Sequence, residues 1–185
     1  MVVRLVRVIA GVAKGRRLRA PPGSGTRPLT DRAKEGLFSS LGERVVGARI
    51  LDLFAGSGSL GIEALSRGAA DATFVEKARG AAGLIRKNLD MTLLDGEVIC
   101  GKVEQFLRST QGEFDLVFVD PPYDLSLALV EDVLSGTAEL LGDGGMMVLH
   151  RRAGEEAPQA PGGTVLVDER RYGDTRLWLY GRQQS

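Results

Sequence analysis

The chain has 185 residues, enough for one domain with a single sizeable core, and its 43% hydrophobic and 26% charged residues are those of an ordinary globular protein. No apolar run approaches the roughly 20 residues of a membrane span, and the arginine-bearing N-terminus lacks the apolar segment and cleavage site of a signal peptide. A lone cysteine, Cys100, and a lone histidine, His150, exclude a disulfide framework and argue against a zinc site, so no metal is expected and a reducing cytoplasm is.

The formal net charge of zero hides an uneven distribution. Residues 1–35 carry nine basic side chains against Asp31 and Glu35, a net of +7, which leaves −7 on the rest. A basic arm on a mildly acidic body suits a polyanionic partner; a solvated tail is the plainer reading.

Val6–Gly11 and Arg17–Ala20 read as two short strands joined by a Gly/Lys turn, a basic hairpin. Pro21–Gly25 is a linker by composition, so residues 1–26 are expected to form a small basic unit, suited to a polyanion, ahead of a domain spanning 27–185. Removal of residues 1–20 is expected to leave that domain's sheet intact. Thr30 can cap a helix starting at Asp31, with Ala33, Leu37, Phe38 and Leu41 as its apolar stripe.

From Ile50 the pattern becomes strand–helix alternation. Strands are predicted at Ile50–Phe54, Ala72–Glu76, Val98–Cys100, Phe114–Asp120 and Met146–His150, with helices through about Arg67, over 78–89, 103–108 and 127–134. Thr164–Asp168 and Leu177–Tyr180 flank a Tyr172-Gly173-Asp174 turn as a closing antiparallel pair, after a Pro/Gly-rich loop at 154–163. Repeated strand–helix units predict an α/β, Rossmann-like parallel sheet that binds ligands at the carboxyl ends of its strands.

The residues after those strands carry the chemistry. Gly56-x-Gly58-x-x-Gly61 follows the first strand and opens a helix, the arrangement that brings backbone amides close to a ligand. Glu76, at the end of the next strand, stands where a carboxylate can accept hydrogen bonds from ribose hydroxyls. These features alone fit a dinucleotide as well as S-adenosylmethionine. Asp52, inside the first strand, favours the latter, because it can meet a cationic amino group and would repel a pyrophosphate. Asp120-Pro121-Pro122-Tyr123 follows the fourth strand. The Asp120 carboxylate and Pro121 carbonyl can each accept one N–H of an exocyclic base amine and so aim its lone pair. Two prolines make the turn rigid, and Tyr123 offers a ring for a flipped base.

With Arg7–Gly11, Gly15-Arg16, Arg27–Arg32, Asp52–Gly61, Glu63–Arg67, Val117–Tyr123 and Tyr172–Thr175, the chain resembles the ribosomal small-subunit methyltransferase D family over nearly its whole length. The resemblance implies a seven-stranded sheet with the last strand antiparallel. It implies S-adenosylmethionine as cofactor, S-adenosylhomocysteine as product, and methylation of guanine N2, at position 966 of 16S rRNA, by a monomer acting on RNA or on a 30S particle. Cofactor contacts fall on Phe54, Ala55, Gly56, Ser57, Gly58, Glu76 and Asp120, with Asp52. Catalysis falls on Asp120, Pro121, Pro122 and Tyr123, and RNA on Arg7, Lys14, Arg16, Arg17, Arg19, Arg27 and Arg32. Lys102 departs from the family's usual Asp or Asn and cannot accept a hydrogen bond from adenine, which leaves that contact to backbone near Lys102 and Val103.

An adenine-N6 methyltransferase, a nicotinamide oxidoreductase and a non-catalytic RNA-binding protein are the competing readings. His150 reads as solvated or capping rather than as a general base, and Cys100 as a small core residue. Arg151, Arg152, Arg170 and Arg171 read as solvated charge, and Tyr172 equally as a pocket wall or a hairpin-packing residue.

Overall fold

The computed structural model describes residues 5–22 and 29–183. A hairpin of β1 (Leu5–Arg7) and β2 (Arg17–Arg19) precedes α1 (Asp31–Leu41) and a short 3-10 turn. Then follow β3 (Arg49–Leu53), α2 (Ser59–Ser66), β4 (Asp71–Glu76), α3 (Arg79–Thr92), β5 (Glu97–Cys100), α4 (Val103–Ser109) and β6 (Phe114–Val119). The chain closes with α5 (Leu127–Glu139), β7 (Leu141–Arg152), β8 (Thr164–Tyr172) and β9 (Thr175–Arg182). Thr30 caps α1 as expected, its hydroxyl accepting from the Ala33 amide at 3.2 Å.

The sheet has seven strands in the order β5-β4-β3-β6-β7-β9-β8. Strands β3 to β7 are parallel and β9 runs antiparallel to both its neighbours, which is the expected fold class. Alternate residues of the central strands feed two cores. Ile50, Phe74, Leu116 and Phe118 pack with α1, α2, α3 and the hairpin; Leu51, Val75, Val117 and Val119 pack with α4 and α5. Because both faces are covered, these strands are apolar almost throughout. The chain leaves β3 toward β4 on one side, whereas β6 lies on the other, so a crevice opens beyond their carboxyl ends.

The hairpin is not a detachable arm. Val6, Val8, Ala13 and Leu18 belong to the same core as α1 and α2. The Ile9 and Ala10 amides donate to the Glu63 carboxylate at 2.8 and 3.0 Å, and the Ala13 amide donates to the Ser66 hydroxyl at 2.9 Å. Asn88 accepts from the Arg19 amide and donates to its carbonyl. Removing residues 1–20 would therefore open the core rather than leave the sheet untouched. From Ile9 the backbone turns from its partner strand to Glu63, which is why β1 is shorter than predicted.

Cys100 is exposed, not buried, because β5 is the sheet's edge strand. Among the described residues no helix is long and apolar enough to cross a membrane.

Candidate active site

A cavity of about 990 Å³ occupies the switch-point crevice, walled by Phe54, Gly56, Glu76, Lys102, Val103 and Asp120, with Pro21 and Pro22, just after the hairpin, also lining it. Residues from five separate stretches of sequence thus meet at one end of the sheet.

The glycine turn bends through the left-handed region at Phe54 (φ 59°), Gly56 (φ 55°) and Gly58 (φ 75°). At Phe54 this costs a non-glycine residue on the order of 1 kcal/mol, and the surrounding bonds hold it there. The Ala55 amide donates to the Val75 carbonyl at 3.1 Å, and the Gly58 amide to the Ala55 carbonyl at 2.7 Å. Gly61 has a different reason: a Cβ there would lie 2.3 Å from the Phe74 ring, so its absence lets α2 sit down on β4.

Glu76 is buried at the floor of the cavity. Its Oε2 accepts from the Gly56 amide at 3.0 Å and its Oε1 from the Ala78 amide at 2.8 Å, which fixes the carboxylate while leaving lone pairs toward the cleft. Asp52 is turned the other way. It is 2% exposed, accepts from the Gly61 amide at 2.9 Å, and borders a small crevice of about 50 Å³ shared with Asp120. Burial pushes its carboxyl well above the usual carboxylate range, and the nearby Asp120 and Glu76 add to the shift. Lys102 is exposed at the start of α4 and Val103 is buried behind it. Ala55 and Ser57 border the small crevice rather than the large cavity.

The Asp120–Tyr123 lip is braced from β7. Asp120 Oδ1 lies 2.7 Å from His150 Nδ1, and no described residue donates to Oδ2 or to the Pro121 carbonyl. His150 is 1% exposed, and its Nε2 lies 3.4 Å from the Tyr123 hydroxyl. Arg151 is also buried. Its guanidinium donates to the carbonyls of Pro122 (2.8 Å), Tyr123 (3.3 Å) and Leu125 (3.2 Å), and Glu155 fixes it at 2.7 Å. The guanidinium carbon of Arg152 lies 4.6 Å from the Tyr123 ring centroid. Burial and Asp120 raise the Tyr123 phenol above its ordinary pKa, and the two arginines oppose that shift.

His150 and Arg151 are therefore not the solvated groups that the sequence suggests. The signal that finds them is register: Val119 pairs with Leu149 in parallel strands, so the next residues, Asp120 and His150, emerge side by side. Tyr172 packs against Gly36, where a Cβ would lie 2.2 Å from its hydroxyl, and so serves the core.

Of the basic residues singled out, Arg7, Lys14, Arg16, Arg17, Arg19 and Arg32 are exposed, although Arg7 pairs with Asp31 at 2.8 Å. Arg27 lies outside the described residues. Lys34, part of the basic count, is fully buried against Glu63 at 3.1 Å and is lost to any partner. Among the described residues no group of histidine, cysteine, aspartate or glutamate side chains gathers as a metal site would.

Residues 6–181 match the family model described as conserved hypothetical protein 95. Ribosomal RNA small subunit methyltransferase D of Escherichia coli K12 is 37% identical over 186 residues, covering 96% of this chain and 90% of that protein. Among solved structures, the Escherichia coli protein yhhF superposes with a TM-score of 0.87 at 34% identity, covering 98% of this chain and 100% of that one. A hypothetical protein of Thermus thermophilus does so with a TM-score of 0.82 at 34% identity, covering 94% and 98%. Full-length matches at this identity mean that the chain belongs to the conserved hypothetical protein 95 family, the family that includes ribosomal RNA small subunit methyltransferase D.

Proposed function

We propose that this chain is an S-adenosylmethionine-dependent methyltransferase of ribosomal RNA that modifies N2 of one guanine in 16S rRNA, guanine 966 by family resemblance, and that it acts as a monomer during small-subunit assembly. The observation that carries the reading is the lip at Asp120: one carboxylate oxygen is pinned by His150, while the other is left without a donor among the described residues beside the cleft that Asp120 and Pro122 line, and the carbonyl of the intervening, buried Pro121 is likewise without a donor among them.

The residues present fit the cofactor. About 990 Å³ is at the upper end of small-molecule sites, with room for a nucleoside-sized cofactor and a flipped base. Its apolar walls at Phe54 and Val103 suit an adenine, and the Glu76 carboxylate suits ribose hydroxyls. When bound, S-adenosylmethionine supplies a methyl group already activated by its sulfonium. What remains for the protein is to position a poor nucleophile. Asp120 Oδ2 and the Pro121 carbonyl each hold one proton of the amine, which localises its lone pair, and Asp120 stabilises the positive charge that develops on nitrogen. Tyr123, steadied by Arg152 and by the arginine-clamped carbonyls beneath it, supports the base.

The test is to incubate the protein and methyl-labelled S-adenosylmethionine with 16S rRNA, free or in 30S particles, from cells lacking the gene, and to analyse the nucleosides. Labelled N2-methylguanosine is expected. Labelled N6-methyladenosine would establish the adenine alternative, and no label in any nucleoside would defeat both.

A further inference from the structure

We propose that His150 is the positioning residue for Asp120: it holds the carboxylate by one oxygen so that the other alone faces the target amine. The role rests on the methyltransferase reading and explains how a single carboxylate on a turn acquires a fixed aim.

The geometry orders the protons. A separation of 2.7 Å between His150 Nδ1 and Asp120 Oδ1 is that of a charge-assisted hydrogen bond. An ionised carboxylate only accepts, so a proton sits on Nδ1, and in the neutral imidazole Nε2 is then left as an acceptor. Tyr123, its phenol held protonated by burial and by Asp120, is the donor facing Nε2 at 3.4 Å. The chain of donors therefore runs one way, from Tyr123 to His150 to Asp120. His150 itself is 1% exposed, with both ring nitrogens occupied, so it does not meet substrate and acts only through Asp120.

Without the imidazole, the carboxylate turns freely about its last side-chain bond and spends much of its time misdirected. Misalignment of this kind lowers a rate on the order of tenfold to a hundredfold and leaves binding of the cofactor unchanged. Asparagine at this position keeps a donor close to where Nδ1 stands, whereas glutamine places its amide nearer to Nε2. The two near-isosteres therefore separate a bond to Asp120 from mere filling of space.

Because His150 is the only histidine in the chain, its ring nitrogens can be followed by 15N NMR without assignment. The expected spectrum is that of the Nδ1–H tautomer, relaxing toward the Nε2–H form that free histidine favours in Asp120→Ala. In single-turnover methyl transfer at saturating cofactor and rRNA, His150→Leu and His150→Gln should slow by about ten- to a hundredfold, and His150→Asn should recover most of the rate. Cofactor affinity and RNA KM should match wild type in all three. An Nε2–H tautomer in the wild type, or His150→Leu and His150→Gln both at the wild-type rate, would overturn the proposal. Losses that simply track each variant's melting temperature, with asparagine no better than glutamine, would also overturn it. Absence of transfer by the wild-type chain would instead remove the methyltransferase reading, and this role with it.

Discussion

Glu63 and Asp120 are both carboxylates held by partners distant in sequence, yet one is architecture and the other chemistry. Glu63 is fully buried and saturated. Oε2 takes the Ile9 amide and Lys34 Nζ, and Oε1 takes the Ala10 amide and Arg67 Nε, at 2.8 to 3.1 Å. Nothing remains for a ligand. Asp120 has one oxygen pinned at 2.7 Å and the other without a donor among the described residues, at the edge of a large cavity. Burial and pairing alone therefore do not mark an active site; an unfilled acceptor beside a cavity does.

Breaking the two carboxylates should separate them. Glu63→Ala leaves the Lys34 charge buried without its partner and two hairpin amides unpaired, and should cost about 3–5 kcal/mol of stability. Burial already lowers the Lys34 pKa, and Glu63 is the main opposing influence. Denaturant titration checks this; a loss under about 1 kcal/mol would mean that the knot is not what ties the hairpin down. Asp120→Ala should do the opposite. Folding and cofactor binding should survive while single-turnover methyl transfer falls on the order of a hundredfold or more, since a charged acceptor in a water-poor site is gone. Near-wild-type rates in that variant would end the amine-clamp mechanism.

How much of this contrast could be read beforehand follows from the range of each interaction. The strands, the Thr30 cap and the Gly56–Gly61 turn depend on neighbours in sequence, so periodicity and turn chemistry reveal them. Asp120–Tyr123 announces itself by composition at a strand end. Lys34 meeting Glu63 and His150 meeting Asp120 depend on which strand lies beside which, and nothing local to either residue reports that. Cys100 departs from its expected core position for the same reason: a short apolar strand reads alike whether central or at the edge, and only the strand order puts β5 outermost.

The basic surface of the hairpin allows a gentler test than truncation. Lys14, Arg17 and Arg19 are exposed, and Arg19 is tied to Asn88 through its backbone rather than its guanidinium. Changing all three to glutamine should leave stability and cofactor affinity unchanged. If each contacts a phosphate, the slope of log affinity for RNA against log salt should flatten by roughly 0.7–0.9 per residue, through fewer released counterions. An unchanged slope would show that RNA binds elsewhere.

Asp52 stands between the two carboxylates, as buried as Glu63 but with only the Gly61 amide as a hydrogen-bond donor among the described residues. Its carboxyl is held well above its ordinary value, chiefly by burial. An unfolded aspartate titrates at about 3.9. As pH rises past that value, the unfolded chain releases a proton that the folded chain retains, so stability falls until the folded-state pKa is passed. Asp52→Asn removes this titration and keeps an oxygen for the Gly61 amide. It should therefore melt at a higher temperature than wild type at neutral pH, with the advantage shrinking as pH falls toward about 4. The same substitution removes the carboxyl that a cationic amino group on the cofactor would draw into its ionised form, so affinity for S-adenosylmethionine should drop while stability rises. Melting curves across pH, with calorimetry at neutral pH, read the two effects separately. A stability gain with unchanged affinity would place Asp52 with Glu63, as a residue that serves the turn alone; a gain accompanied by weaker binding would place it with Asp120, at the site.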